Sequence, residues 1–120
     1  MSRIPYLIAG LVAALAVAAP TSAGMSATKL TGTVGPGFTI TLKKGTTKVT
    51  KLKAGKYTIT VTDKSKLHNF HLRGPGGVNK VITATPFVGT KSVTVTLVKG
   101  RYTYVCDPHA ALMTKHFTVT

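Results

Sequence analysis

The feature that most restricts what this chain can fold into is an alternation of apolar and polar residues with a period of two. In "YTITVT" (57–62), Tyr57, Ile59 and Val61 share one face and threonines the other, and "SVTVTLV" (92–98) repeats this with Val93, Val95 and Leu97. Successive side chains of an extended chain point to opposite faces, so such a segment buries one side of a strand and wets the other. "FTITL" (38–42), "KVTKL" (48–52), "HNFHL" (68–72), "RYTYVC" (101–106) and "HFTVT" (116–120) follow the same pattern. They are separated by "GPG", "KKGTT", "KAGK", "GPGG", "TPFVG" and "KG", all of them turn-forming. No segment after the first 23 residues has an apolar stripe of helical period and length. Short strands at regular spacing predict an all-β fold, a Greek-key antiparallel β-sandwich in a single domain.

The first residues read differently. Arg3 is followed by the uncharged "IPYLIAGLVAALAVAA" and then "PTSAG", which places Thr21 and Ala23 at −3 and −1 of a cleavage site before Gly24. This is the layout of a secretory signal peptide. A transmembrane anchor needs about 20 apolar residues; here the run is shorter, is bounded by Pro5 and Pro20 and ends in small residues. The expected division is therefore a signal peptide over 1–23 and a domain over 24–120, exported to the periplasm, the cell surface or the medium. Removing 1–23 leaves 97 of the 120 residues, enough for one modest core.

Arg3 is the only charge in that leader, so the formal +14 of the whole chain becomes +13. The sole acids are Asp63 and Asp107. Such an excess favours acidic partners and polyanionic surfaces without specifying a fold. Lysines concentrate in "LKKGTTKVTKLKAGK" (42–56), at turns and outward positions. There they protect sheet edges from pairing with other chains, and they also offer a docking face. Nucleic acid is an unfavoured partner, because stacking aromatics are sparse and the chain is exported. Association with an anionic membrane or a cell-wall polymer fits the charge, and a monomer is expected.

Against that background the single cysteine stands out. In an oxidising compartment cysteines usually pair, yet Cys106 has no partner in its own chain. Alternation puts Tyr102, Tyr104 and Cys106 on the inward face, with Cys106 where the strand ends at Asp107-Pro108. His109 and Met113 follow on a short loop. Thiolate, imidazole and thioether together form a soft donor set that suits copper, and a second imidazole would complete a trigonal Cys-His₂ centre with a long axial Met. His68 and His71 are the candidates. Three positions apart, they face opposite ways on a strand. Phe70 and Leu72 share the parity of His68, which makes His68 the inward residue and the better ligand, with His71 as the alternative. His116 has the parity opposite to Phe117 and Val119 and is expected to face solvent.

"HNF" followed by "YVCDPHAALM" resembles the plastocyanin/azurin family of small cupredoxins, and the resemblance extends through "GPGFTITL", "LKAGKYTITVTD" and "VKGRYTYVC". It implies a cupredoxin-like sandwich holding one copper that cycles between Cu(I) and Cu(II). His68, Cys106 and His109 would be the equatorial ligands and Met113 the axial one. Asn69 would tie the two ligand loops together. Pro108, Ala110, Ala111 and Leu112 would surround the His109 edge as an apolar electron port, together with the "GPG" turns at 35–37 and 74–76. Lys115 stands where many relatives have glycine, and a positive φ there would cost around 1 kcal/mol.

The function so implied is electron shuttling between redox partners, with lysines steering acidic ones. Extracytoplasmic copper storage or delivery is the alternative. Enzymatic readings are weaker. Val105 and Asp107, not histidines, flank the cysteine, and too few histidines remain for a second centre. An inward thiol also lacks the accessible thiolate that a nucleophile requires.

Overall fold

A computed structural model describes residues 26–120, and the expected signal peptide over 1–23 lies outside the described residues. The chain forms β1 (Thr28–Val34), β2 (Ile40–Lys44), β3 (Thr47–Lys48), β4 (Lys51–Leu52), β5 (Gly55–Asp63), β6 (Phe70–Gly74), β7 (Val78–Thr83), β8 (Gly89–Leu97), β9 (Gly100–Val105) and β10 (Thr114–Val119). A single 3₁₀ turn, Asp107–His109, interrupts the β structure among the described residues. One sheet has the order β3-β2-β1-β5-β8 and the other β4-β10-β9-β6-β7. Their inner faces carry the apolar half of each alternation: Leu30 and Val34, Ile40 and Leu42, Tyr57, Ile59 and Val61, Phe70 and Leu72, Tyr102 and Tyr104, Phe117 and Val119 are all buried. The period-two pattern therefore dictates the core directly.

The sheets are mixed, where a purely antiparallel sandwich was expected. β1 pairs parallel with β5 from Thr28↔Tyr57 to Val34↔Asp63, and β4 pairs parallel with β10. Parallel neighbours need a crossover, and the segment 48–52, expected as one strand, supplies it. Lys48 pairs with Lys43 in the first sheet while Leu52 pairs with Val119 in the second. Val49, buried at the crossing point, donates its N–H to the Leu42 carbonyl. The chain leaves one sheet, touches the other and returns beside the strand from which it started.

Two strands carry weaker sequence patterns. In β7 three successive residues, Asn79, Lys80 and Val81, are exposed, so alternation is lost on an edge. In β1 the alternation is broken by Gly32, and packing explains why. A Cβ at Gly32 would stand 2.9 Å from Val61 Cγ2 and 3.0 Å from Phe70 Cε2, both in fully buried side chains. The missing side chain gives the Phe70 ring of the opposite sheet its room. Phe70 in turn stacks on Tyr104, with centroids 5.4 Å apart and planes 3° from parallel, beneath the end of the sandwich where β9 gives way to Cys106. Lys115 sits within β10 opposite Tyr104, and no residue other than glycine has a positive φ among the described residues. Lysine is unstrained there.

Gly32→Ala should overpack this layer and lower unfolding free energy by about 1–3 kcal/mol. Urea titration should show a lower midpoint with an unchanged slope.

Candidate metal centre

Three segments converge at one pole of the sandwich: the 35–39 turn between β1 and β2, the 64–69 loop between β5 and β6, and the 106–113 loop between β9 and β10. Each is pinned by main-chain bonds. Gly35 N–H donates to Thr39 O at 2.8 Å, Lys64 N–H to Val34 O at 2.9 Å, and Cys106 N–H to Met113 O at 3.0 Å. The last of these closes the 106–113 loop at its neck. Inside that loop His109 N–H donates to Cys106 O, and the N–H groups of Leu112 and Met113 both donate to His109 O at 2.9 Å. Pro108 in the 3₁₀ turn fits because its missing N–H falls where a helical start has no partner to offer.

These loops bring His68, Cys106 and His109 together, with one ligand atom from each lying within 4.8 Å of the others. Cys106 Sγ stands 3.7 Å from His68 Nδ1 and 3.6 Å from His109 Nδ1, and the two nitrogens are 3.1 Å apart. A point equidistant from all three corners of this triangle lies about 2.0 Å from each, the length of a bond from a first-row metal to imidazole nitrogen. His68 and Cys106 are buried, and His109 is half-buried. His68 Nε2 donates to the Gly37 carbonyl at 2.7 Å, which fixes the tautomer and leaves the Nδ1 lone pair facing the triangle. The "GPG" turn at 35–37 is therefore part of the site. Its glycines adopt φ +71 and +68, and a Cβ on Gly35 would come within 3.5 Å of the His68 ring.

Met113 is buried, with 1% of its surface exposed, and its main chain bonds to both Cys106 and His109. Asn69, also buried, joins the two ligand loops reciprocally. Its Nδ2 donates to Asp107 Oδ2 at 2.8 Å, and Asp107 N–H donates to Asn69 Oδ1 at 2.7 Å. His71 does not enter the triangle; its Nδ1 pairs with Asp107 Oδ2 at 2.9 Å and its Nε2 bonds Asn79. It lies on the outer face, as expected, half-buried between the inward Phe70 and Leu72, and supports the cysteine loop from the side. His116 is exposed and bonded to Thr103 Oγ1 at 2.8 Å. Desolvation pushes the Asp107 carboxyl up, but the hydrogen bonds from Asn69 and His71 and the nearby His71 and Arg73 charges outweigh it and hold the group below its ordinary value. A depressed carboxyl contributes its stability above the unfolded-state value and loses it as pH falls through the folded one. The tie between the loops thus persists into mild acid.

Pro108, Ala110, Ala111 and Leu112 are all exposed around the half-buried His109 ring. The apolar surface extends to a residue the sequence reading did not single out as part of the site. Phe38, 57% exposed, packs edge-on against His109 with ring centroids 5.0 Å apart. An exposed phenylalanine directly after a "GPG" turn was the available signal. The other turn expected in this patch, 74–76, is at the opposite pole. Pro75 O accepts from the Tyr102 hydroxyl at 2.9 Å, and Gly76 faces Val98. β6 carries the chain from His68 the length of the sheet before turning there.

The sequence profile of the copper binding proteins of the plastocyanin/azurin family matches residues 39–120, and the chain belongs to this family. Among solved structures it is similar to rusticyanin. A crystal structure of rusticyanin variants superposes with a TM-score of 0.56 at 23% identity, covering 77% of this chain and 76% of that one. Reduced rusticyanin gives 0.53 at 21%, covering 77% and 78%. Rusticyanin from Thiobacillus ferrooxidans gives 0.51 at 20%, covering 77% and 76%. These likenesses establish a cupredoxin sandwich. No curated protein sequence matches the chain. The triangle of two imidazole nitrogens and one thiolate sulfur fits one copper ion per chain, in both donor chemistry and spacing.

Asn69→Ala removes both bonds of a buried amide and leaves Asp107 N–H without its acceptor. Thermal unfolding of the metal-free protein should show a loss of about 1–3 kcal/mol, with the three donor residues untouched.

Proposed function

We propose that this is an exported type 1 copper protein that shuttles single electrons, with copper held by His68, Cys106 and His109 and a long axial contact from Met113. The observation that carries the reading is a preformed donor triangle with one partly exposed corner, the His109 ring, set in an apolar surface. Copper bound there would supply a one-electron couple. The chain's own part is to keep the donors in place through both oxidation states. The Gly37 carbonyl orients His68, the neck bond to Met113 and the Asn69–Asp107 pair hold the cysteine loop, and burial excludes water from the thiolate. Fixed ligands reduce the rearrangement that accompanies each exchange.

An electron carrier, and not an enzyme, is the role these features support. A cleft of about 670 Å³ among the described residues has none of the donor residues in its lining. The exposed rim of Phe38, Pro108, Ala110, Ala111 and Leu112 suits a brief apolar contact with a redox partner. Lys64 and Lys66, exposed on the His68 loop, would favour acidic partners and work as a monomer's steering charges. The layout of residues 1–23 supports placing this activity in the periplasm or at the cell surface.

Titrating residues 24–120 with Cu(II) should produce an intense thiolate-to-copper band in the visible, saturating at one copper per chain. Cys106→Ser should abolish that band, Met113→Leu should retain copper and shift the reduction potential, and His116→Ala should change neither. An intensely blue Cys106→Ser protein would overturn the site. Storage or delivery would replace electron transfer if reduced protein released its copper to a Cu(I) chelator faster than it exchanged electrons with an oxidised copy.

A further inference from the structure

The pole remote from the copper ligands has its own chemistry. The 670 Å³ cleft lies between the start of β5, the end of β2 and the β4 crossover, and Lys44, Lys51, Lys53 and Lys56 line it. All four ammonium-bearing residues are exposed. Lys48 joins Lys44 and Lys51 in an adjoining depression. No acidic side chain offsets them. The chain's only acids, Asp63 and Asp107, sit at the end of β5 and just after β9, both at the copper pole. The lysines are therefore unevenly placed: a concave cationic pole opposes a pole that carries the apolar rim and both carboxylates beside Lys64 and Lys66.

A second observation says what this pole meets. Ser26 and Thr28 also line the cleft, so the chain enters the fold there. The apolar run that ends at Ala19 is only a few residues upstream. A leader that holds the emerging domain at the bilayer would present the lysine cleft to it first. We infer that this cleft binds anionic phospholipid headgroups, seating the domain on the membrane with the copper pole turned away. Clustered lysines are drawn to the negative surface of an anionic leaflet, and the attraction falls off within a Debye length.

Both sheets are built wholly from residues 28–119, so residues 24–120 without copper are the protein to use, which separates this test from the electron-transfer reading. Cosedimentation with vesicles containing phosphatidylglycerol should give binding that phosphatidylcholine vesicles do not. It should weaken steeply with salt, as the screening length falls from about 10 Å at 0.1 M to about 3 Å at 1 M. The quadruple change of Lys44, Lys51, Lys53 and Lys56 to Gln should weaken binding by about a hundredfold or more at low salt, since each lysine at an anionic surface contributes about fivefold. A triple Gln change at Lys64, Lys66 and Lys91, in the copper-pole half, should leave it within about twofold. Unaltered circular dichroism would confirm that both variants fold. Equal losses in the two variants would mean diffuse charge and overturn a defined cleft. Binding to soluble polyphosphate through the same four lysines, without vesicle binding, would assign the cleft to a phosphate polymer and overturn the membrane inference.

Discussion

The copper pole depends on the reciprocal pair of hydrogen bonds between Asn69 and Asp107. The donors they position come from loops 38 residues apart, and nothing in the local sequence of either loop could set their separation. An amide that both donates to and accepts from one residue fixes translation and rotation together, which a single bond cannot. Burial of Asn69 raises the cost of breaking the pair, since its freed amide would be left without water. His71 holds Asp107 from the other side, so the acidic residue after the cysteine is fixed by two neighbours. The 3.1 Å approach of two imidazole nitrogens follows from this constraint. At that distance the two nitrogens either share one proton in a hydrogen bond or both turn their lone pairs to a bound metal ion.

Much of this was legible before any coordinates. Inward parity identified Tyr57, Ile59, Val61, Tyr102, Tyr104 and Cys106 as core residues, because period two is a geometric property of extended chains and needs no partner to be read. The same reasoning selected His68 over His71. Three things could not be read. Pairing direction is invisible to periodicity, so the parallel β1–β5 neighbours emerged only from the crossover at Val49. The role of Gly32 depends on a ring from the opposite sheet. The 74–76 turn was misplaced because two identical "GPG" strings carry no information about which end of the sandwich each occupies. Membership of the plastocyanin/azurin family, by contrast, was already carried by the order of His68, Asn69, Cys106, His109 and Met113.

The lysines that appeared only as a composition bias acquire meaning from topology. The stretch 42–56 contains a hairpin, a sheet crossing and the start of β5, and all three fall at the same pole. A charge run that is contiguous in sequence thereby becomes contiguous in space, on a surface where it protects short edge strands and creates a concave cation cluster. Placing the same residues at the copper pole would surround a cationic centre with more positive charge and raise the energy of its oxidised form. Keeping the 42–56 lysines at the far pole lessens that conflict.

Exposure within the donor set then gives the site a direction. His68 is enclosed by the 35–37 turn and hydrogen-bonded through its outer nitrogen, and Cys106 lies beneath the loop that carries it. Only His109 reaches the surface, and its outer edge meets Phe38 and not a polar acceptor. In the proposed electron-transfer role, the shortest route out along the bonded framework would run through that one ring, and the apolar rim would let a partner approach it without stripping water from charges. Because the rim contains alanine, proline, leucine and phenylalanine, its attraction is shape-tolerant and weak. That would suit a contact that dissolves after each transfer, as the proposed function requires, and would leave long-range selection to charges placed outside the contact itself.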